Sequence, residues 1–263
     1  MTKITPRRHS IAADIALSET RAPATPRAAL EAVPWLAGVS SAVLARLADQ
    51  AVEHRIPAGA RLFEQAESPN FAEFLIEGSV ELLAVRGEVE SLIETVRPVD
   101  LILPAAVLSR GPYLVRARVL QEAAIVLIAA EAFRAAVAED QALCLAVLAC
   151  QAAQFRRQMR QAKAIRLRSA EERVGCYLLR LAERSAGPSI RLPHEKRLIA
   201  SQLGMTRETF SRALPLIARH GLRMEGDRLT VEDLAAARAA FPLDPLIDDA
   251  EPIAPLPLAK DLT

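Results

Sequence analysis

Apolar and polar positions change rhythm twice along this chain. Over 40–51, SSAVLARLADQA, leucines recur at helical spacing, and Ser40 or Ser41 stands where an N-cap belongs. From 52 to 129 the pattern breaks into short runs: IPAGARLFEQ, AEFLIEG, SVELLAV, SLIETVRPV, LVRARVLQ and AAIVLIA. They are separated by Gly59, Pro69, Gly78, Gly87, Pro98 and Gly111. Such punctuation predicts a compact all-β sandwich, roll or barrel. In SVELLAV, Val80, Leu82 and Ala84 fall on one strand face. The rhythm turns helical at Glu131, and neither Gly nor Pro interrupts it up to Ile165. One continuous helix over 131–165 would span roughly 52 Å.

Within that helix Leu145, Leu148, Ala152, Phe155, Met159 and Ala162 alternate spacings of three and four. One stripe of this kind suits a coiled-coil seam, with Arg156, Arg157, Arg160 and Lys163 beside it. A helix packed on its own domain would carry a similar stripe. A helix leaving a β-domain has little of its own chain to cover it, so a dimer seam is the expectation. Three heptads are short, and such a dimer needs further contacts from the β-domains.

Residues 169–240 read as a second domain. SAEERVGCYLLRLAERS is amphipathic, with Val174, Leu178 and Leu181 on one side and Ser169 with Glu172 as a capping box. A strand-like GPSIRLP follows. Then come a helix in HEKRLIASQLG, a turn at Gly204 and Met205, a second helix in MTRETFSRALPLIARHG, and a hairpin turning at Gly226 and Asp227. Ile199, Ala200, Leu203, Phe210, Leu214 and Ile217 supply contacts between the two helices, and Thr206 is placed to cap the second. This is the order of a winged helix-turn-helix. Arg207, Glu208, Ser211 and Arg212 lie at the end of the second helix that meets base edges when such a helix enters a major groove. Pro215 removes a bond to the Ser211 carbonyl, and a kink is expected near 211–215.

Composition narrows the classes. Of 263 residues 51% are hydrophobic and 25% charged, with a net charge of +1, which excludes global disorder, collagen and a uniformly basic coat. Charge is segregated instead: 166–240 carries +5 and 241–263 carries −4, and phosphate neutralisation needs such a local excess. Three cysteines, Cys144, Cys150 and Cys176, argue against a disulfide framework, and Cys144 and Cys150 read as buried thiols. No apolar run is long enough for a signal peptide or membrane span, so a cytoplasmic protein with no membrane partner is expected. Ser, His and Asp occur in no nucleophile-elbow or metal-ligand spacing, so an enzyme is not expected. Residues 1–33 read as a flexible extension, and the five-proline segment 241–263 as an acidic tail without regular structure.

IASQLGMTRETFSRAL followed by a wing resembles the helix-turn-helix of the CRP/FNR superfamily of bacterial transcription regulators, and the order of domains over roughly 35–240 is similar to theirs. The resemblance implies an α+β chain. It would comprise a double-stranded, cyclic-nucleotide-binding-like β-roll over 34–130, a dimerisation helix over 131–166 and a winged helix-turn-helix over 167–240. It also implies a homodimer on a palindromic operator of double-stranded DNA, with RNA polymerase as a partner. Glu208, Ser211 and Arg212 become base readers, Arg207 a further candidate, and Thr206 and Thr209 phosphate contacts. The glutamate–serine–arginine set is similar to the cluster-free FNR/DNR-like branch and suggests TTGAT-type half-sites, although Arg207 is similar to the CRP branch.

FLIEGSVEL is similar to the family's strand–Gly–strand element. Cyclic-nucleotide binders of the family hold ribose with a Gly-Glu pair and phosphate with an Arg-Ser or Arg-Thr pair. Here Leu103 and Pro104 occupy the first place, and the second pair is missing. Arg116 and Arg118 read as solvated strand residues. Cyclic AMP is therefore not expected. An iron–sulfur cluster is not expected either, since the first cysteine is Cys144. The effector stays open between haem sensing nitric oxide or carbon monoxide, an apolar molecule, protein-level control and none. For haem the candidate ligands are His9, in the extension, His54, at a strand start, and His194 and His220, both expected on the surface of the DNA-binding segment.

Overall fold

A computed structural model of the chain describes residues 25–185, 187, 189–249 and 253. The chain divides into two compact units, one built from residues up to Leu83 with Thr95–Val147, the other from Ala84–Glu94 with residues from Leu148 onward.

In the first unit, strands β1 (Ala51–Ile56), β2 (Arg61–Phe63), β3 (Phe71–Arg86), β4 (Val89–Val96), β5 (Asp100–Ile102) and β6 (Arg116–Ala129) form one antiparallel sheet. It is ordered β1-β6-β3-β4, with β2 on β6 and β5 on β3. The sixteen residues of β3 run through several register breaks against β6 around Gly78. Gly78 sits at φ +84°, and a methyl group there would overlap the Glu122 carbonyl. The strand can bend against its neighbour only where no Cβ stands.

Alternation along β3 separates two apolar layers. Leu75, Val80 and Leu82 face an interior shared with Ile56, Phe63, Ile102, Ala117, Val119 and Ile125. Phe63 and Tyr113 stack within it, ring centroids 3.6 Å apart. On the other side Phe74 meets Trp35 and Phe133. Residues 26–33, placed in the flexible extension by sequence, are ordered: α1 (Pro26–Glu31) is capped by Thr25 and buries Ala29 and Leu30. A Thr-Pro start is a helix signal in its own right. Residues 1–24, with His9, lie outside the described residues. Helix α2 (Ser41–Ala48) begins as expected, with the Ser40 hydroxyl accepting from the Val43 N–H.

After the short helix α3 (Pro104–Ser109) and β6, the continuous helix expected over 131–165 is two helices, α4 (Ala130–Glu139) and α5 (Gln141–Leu167). The break is Asp140. Its backbone is extended, and its carboxylate accepts from the Leu143 N–H at 2.7 Å and starts α5. An aspartate that can cap a new helix competes with the old one without needing Gly or Pro.

The second unit contains most of α5, α6 (Ala170–Arg184), β7 (Ser189–Arg191), α7 (Lys196–Gln202), α8 (Arg207–Ala218), β8 (Leu222–Glu225), β9 (Arg228–Val231), α9 (Leu234–Ala240) and α10 (Pro245–Asp248). The three strands pair in the order β7-β9-β8. The 84–94 hairpin tip belongs here, with Glu94 accepting from Arg157 and Gln158, both at 2.7 Å. Residues 241–248, given no regular structure by sequence, fold back: Phe241, Ile247 and Asp248 are buried. Cys144 is exposed rather than buried, while Cys150 and Cys176 are buried. Among the described residues no helix is long and apolar enough to cross a membrane.

One group in the sheet opposes its surroundings. Glu73 is 4% exposed, stands opposite Ile102 and Leu127, and its Oε2 has no hydrogen-bond partner. Burial pushes its carboxyl up to about 8. The folded protein thus keeps a proton that the unfolded chain releases near 4.5, so this residue makes stability fall as pH rises from about 4.5 to about 8. Glu73→Gln removes that slope. Its stability relative to the parent should rise across this window, by an order of a few kcal/mol, in urea unfolding at pH 5 and pH 8.

Candidate nucleic-acid interface

Helix α8 is built so that one side is committed to the core and the other is bare. Phe210, Ala213 and Ile217 are buried against Ile199 and Ala200 of α7 and against Val174 and Leu178 of α6. Arg207, Glu208, Ser211 and Arg212 are exposed on the opposite side. The turn before α8 is a Schellman motif. Met205 N–H bonds to Ala200 C=O at 3.0 Å and Gly204 N–H to Ser201 C=O at 2.9 Å, with Gly204 at φ +66°.

Thr206 caps α8, its hydroxyl accepting from the Thr209 N–H at 3.2 Å. The Thr209 hydroxyl lies 3.2 Å from that of Thr206 and accepts from Arg212 Nη2 at 3.3 Å. Glu208 is held below the usual carboxylate range by its own backbone N–H and by the Thr206 hydroxyl. It therefore stays an acceptor at the positive end of the helix. The six residues from Thr206 to Arg212 that the sequence singled out share one end of one helix, and only Phe210 between them turns inward. Helix α8 continues through the exposed Pro215 to Ala218.

The wing follows as expected, β8 and β9 turning at Gly226 and Asp227. Asp227 accepts from Arg191 on β7 at 2.6 Å, and Arg223 pairs with Glu232. Arg228 beside that turn is a further cation that the sequence reading does not single out; a basic residue flanking a Gly-Asp hairpin is the available signal. His194, expected on the surface, is buried, and His220 meets the Phe241 ring edge-on at 5.5 Å.

On α5 the predicted seam divides by exposure. Leu148, Phe155 and Met159 are 49%, 63% and 47% exposed within the chain, whereas Leu145, Ala152 and Ala162 are half-buried. The helix thus carries large apolar side chains that its own chain leaves uncovered.

In the sheet domain, Leu103 takes a left-handed backbone at φ 45° and Pro104 opens α3. Arg116 and Arg118, expected as solvated side chains, are each held by a carboxylate. Arg116 pairs with Glu64 at 2.8 Å and Arg118 with Glu81 at 2.9 Å, and the Glu81 side chain is almost fully buried. Both arginines are neutralised from within. A haem held through histidine needs open space beside the imidazole. His54 is the one described histidine of this unit, on the same strand face as Ile56, against an interior occupied by Phe63, Tyr113 and Ile125. An apolar interior packed this way does not favour His54 as a haem ligand. Among the described residues no group of three or more His, Cys, Asp or Glu could hold a metal ion.

Losing the α8 cap should be visible in stability alone. Thr206→Ala is expected to cost about 1 kcal/mol in denaturant unfolding, and Thr206→Ser much less.

Two family models match. The cyclic nucleotide-binding domain covers residues 53–140, and the Crp-like helix-turn-helix domain covers residues 172–239. No protein of curated function matches the chain in sequence. Among solved structures, a putative CRP/FNR-family regulator from Eubacterium rectale is similar at a TM-score of 0.66, with 16% identity over 78% of this chain and 96% of that one. The global regulator CLP from Xanthomonas campestris, described as responsive to c-di-GMP, gives 0.63, with 17% identity over 74% and 100%. FixK2 from Bradyrhizobium japonicum gives 0.60, with 19% identity over 77% and 99%. At these identities the likeness concerns the fold. The two matched domains together span more than half of the chain, in family order, and the chain belongs to the CRP/FNR family of DNA-binding transcription regulators rather than to a family of enzymes.

Proposed function

We propose that this regulator acts in the cytoplasm as a homodimer, reading a palindromic operator through α8 and working with RNA polymerase at promoters. The observation that carries the reading is the bare N-terminal face of α8, where a glutamate, a serine and two arginines are presented while the opposite face is locked in the core. Glu208 accepts from cytosine N4, Arg212 forks onto guanine, and Ser211 adapts to either partner. Arg207 adds a second arginine, and Thr206 and Thr209 contact phosphate. This set favours TTGAT-type half-sites. The uncovered Leu148, Phe155 and Met159 supply the seam for a second copy, which sets two recognition helices about 34 Å apart, one turn of DNA.

The sheet domain is the site of control, and its signal is not a cyclic nucleotide. A phosphate needs fixed donors and an available cation, and here Glu64 and Glu81 already hold Arg116 and Arg118. A second reading, DNA binding without an effector, is favoured by the interior stack of Phe63 on Tyr113, which fills the domain with its own side chains.

Arg212→Ala should weaken binding to a selected operator by about 1–3 kcal/mol per altered base pair in fluorescence anisotropy, with a much smaller loss on random duplex. Equal losses on both would remove Arg212 from base reading. Phe155→Glu should convert the dimer to monomer by light scattering. Because Phe155 is exposed within the chain, the resulting monomer should keep its fold by circular dichroism, while the stability linked to dimerisation is lost.

A further inference from the structure

We propose that residues 241–248 clamp the junction between α5 and α6, and that Arg168 and Asp248 are the positioning pair that fixes how the DNA-reading helix is presented. The proposal rests on the DNA reading above. The segment lies beyond residue 239, where the match to the helix-turn-helix domain ends.

The junction is only two residues long. Helix α5 ends at Leu167, α6 begins at Ala170, and Ser169 is the N-cap of α6. From α6, Arg173 Nη1 reaches back to the carbonyls of Ile165 and Arg168, at 3.0 and 2.9 Å. Arg168 itself makes a two-pronged pair with Asp248, Nη1 to Oδ1 at 2.9 Å and Nη2 to Oδ2 at 2.5 Å. The Asp248 side chain is 2% exposed. Its Oδ2 also accepts from the Asp244 N–H at 2.8 Å. Arg180 of α6 donates to the Asp248 carbonyl at 3.4 Å and lies 3.9 Å from Oδ1. One carboxylate thus ties the junction residue Arg168, the middle of α6 and its own segment. Burial opposes the charge on Asp248, but the Arg168 bonds, the Asp244 N–H and Arg180 outweigh it and hold the carboxyl below its ordinary range.

The apolar half of the clamp is Phe241. Its ring packs where Gly175 leaves room on α6, and any Cβ at that position would overlap it. The same ring meets His220, just past the end of α8. Phe241 therefore touches the helix that pivots and lies beside the helix that reads, while Asp248 holds the pivot. A two-residue connection without such a tie leaves the angle between α5 and the DNA-binding fold to fluctuate. In a dimer that must place two helices at one fixed separation, that freedom has to be removed on binding.

The test uses the full chain and an operator selected from randomised duplex by the wild-type protein. Asp248→Asn and the milder Arg168→Lys are compared with wild type on this operator, on versions with the half-site spacing changed by one base pair, and on a duplex carrying one half-site. The expected result for Asp248→Asn is a roughly tenfold loss on the native spacing, the order of a typical coupling between sites. Affinity for the single half-site should change less than about twofold, so discrimination between spacings narrows. Arg168→Lys should fall between. Hydrogen exchange should rise at 165–170 and 241–248 while α8 keeps its protection. Unchanged spacing discrimination in both variants would overturn the clamp, and so would equal losses on one and two half-sites with α8 still protected. If Asp248→Asn unfolds α8, Arg168→Lys decides by the same two readouts. Failure of the wild-type protein to select any half-site would instead overturn the DNA reading itself.

Discussion

A recognition helix is useful only if its rotation about its own axis is fixed, and here three side chains fix it. Phe210, Ala213 and Ile217 recur at spacings of three and four and are sealed against α6 and α7. A rotation of α8 large enough to move Arg212 off its present face would bring Phe210 into water, losing roughly 1.5–3 kcal/mol for that ring alone. The bare polar face is thus a consequence of the apolar one. The Schellman turn at Gly204 and the Thr206 cap then set where the helix starts, which decides which residues stand at the end nearest DNA.

The sheet domain shows the opposite economy. Arg116 and Arg118 face carboxylates of the same domain, while Glu73 is left in an apolar layer with a proton in place of a partner. The family fold is retained, but the groups that would meet an anion are neutralised internally. Membership of a family fixes the fold, and the ligand has to be read from the groups at the site.

How much was legible in the sequence follows from how local each signal is. The α6 capping box, the helix-turn-helix and its wing rest on residues within a few positions of one another, and they stand where the pattern put them, whereas the runs on either side of Gly78 join into the single strand β3. The resemblance to the CRP/FNR superfamily was carried by one such local stretch, RETFSR. The break at Asp140 was harder, since aspartate within a helical run is unremarkable until it finds an N–H three residues on. The partners of Arg116 and Arg118 lie 52 and 37 residues away, and periodicity cannot see that far. Proline content disguised the C-terminal segment: Pro245 starts a short helix rather than preventing one. Only the tertiary partner, Arg168, shows why the segment folds back.

Phe241 completes the core of the DNA-binding unit from far along the chain, with Cys176, beside its seat at Gly175, 65 residues earlier. During synthesis, the groove on α6 emerges long before the ring that fills it. At ordinary rates of roughly 5–20 residues per second, the delay is on the order of 3–13 s. For that time the nascent domain exposes apolar surface on α6, and the recognition helix itself, which ends at Ala218, precedes the ring that completes the core by only 23 residues.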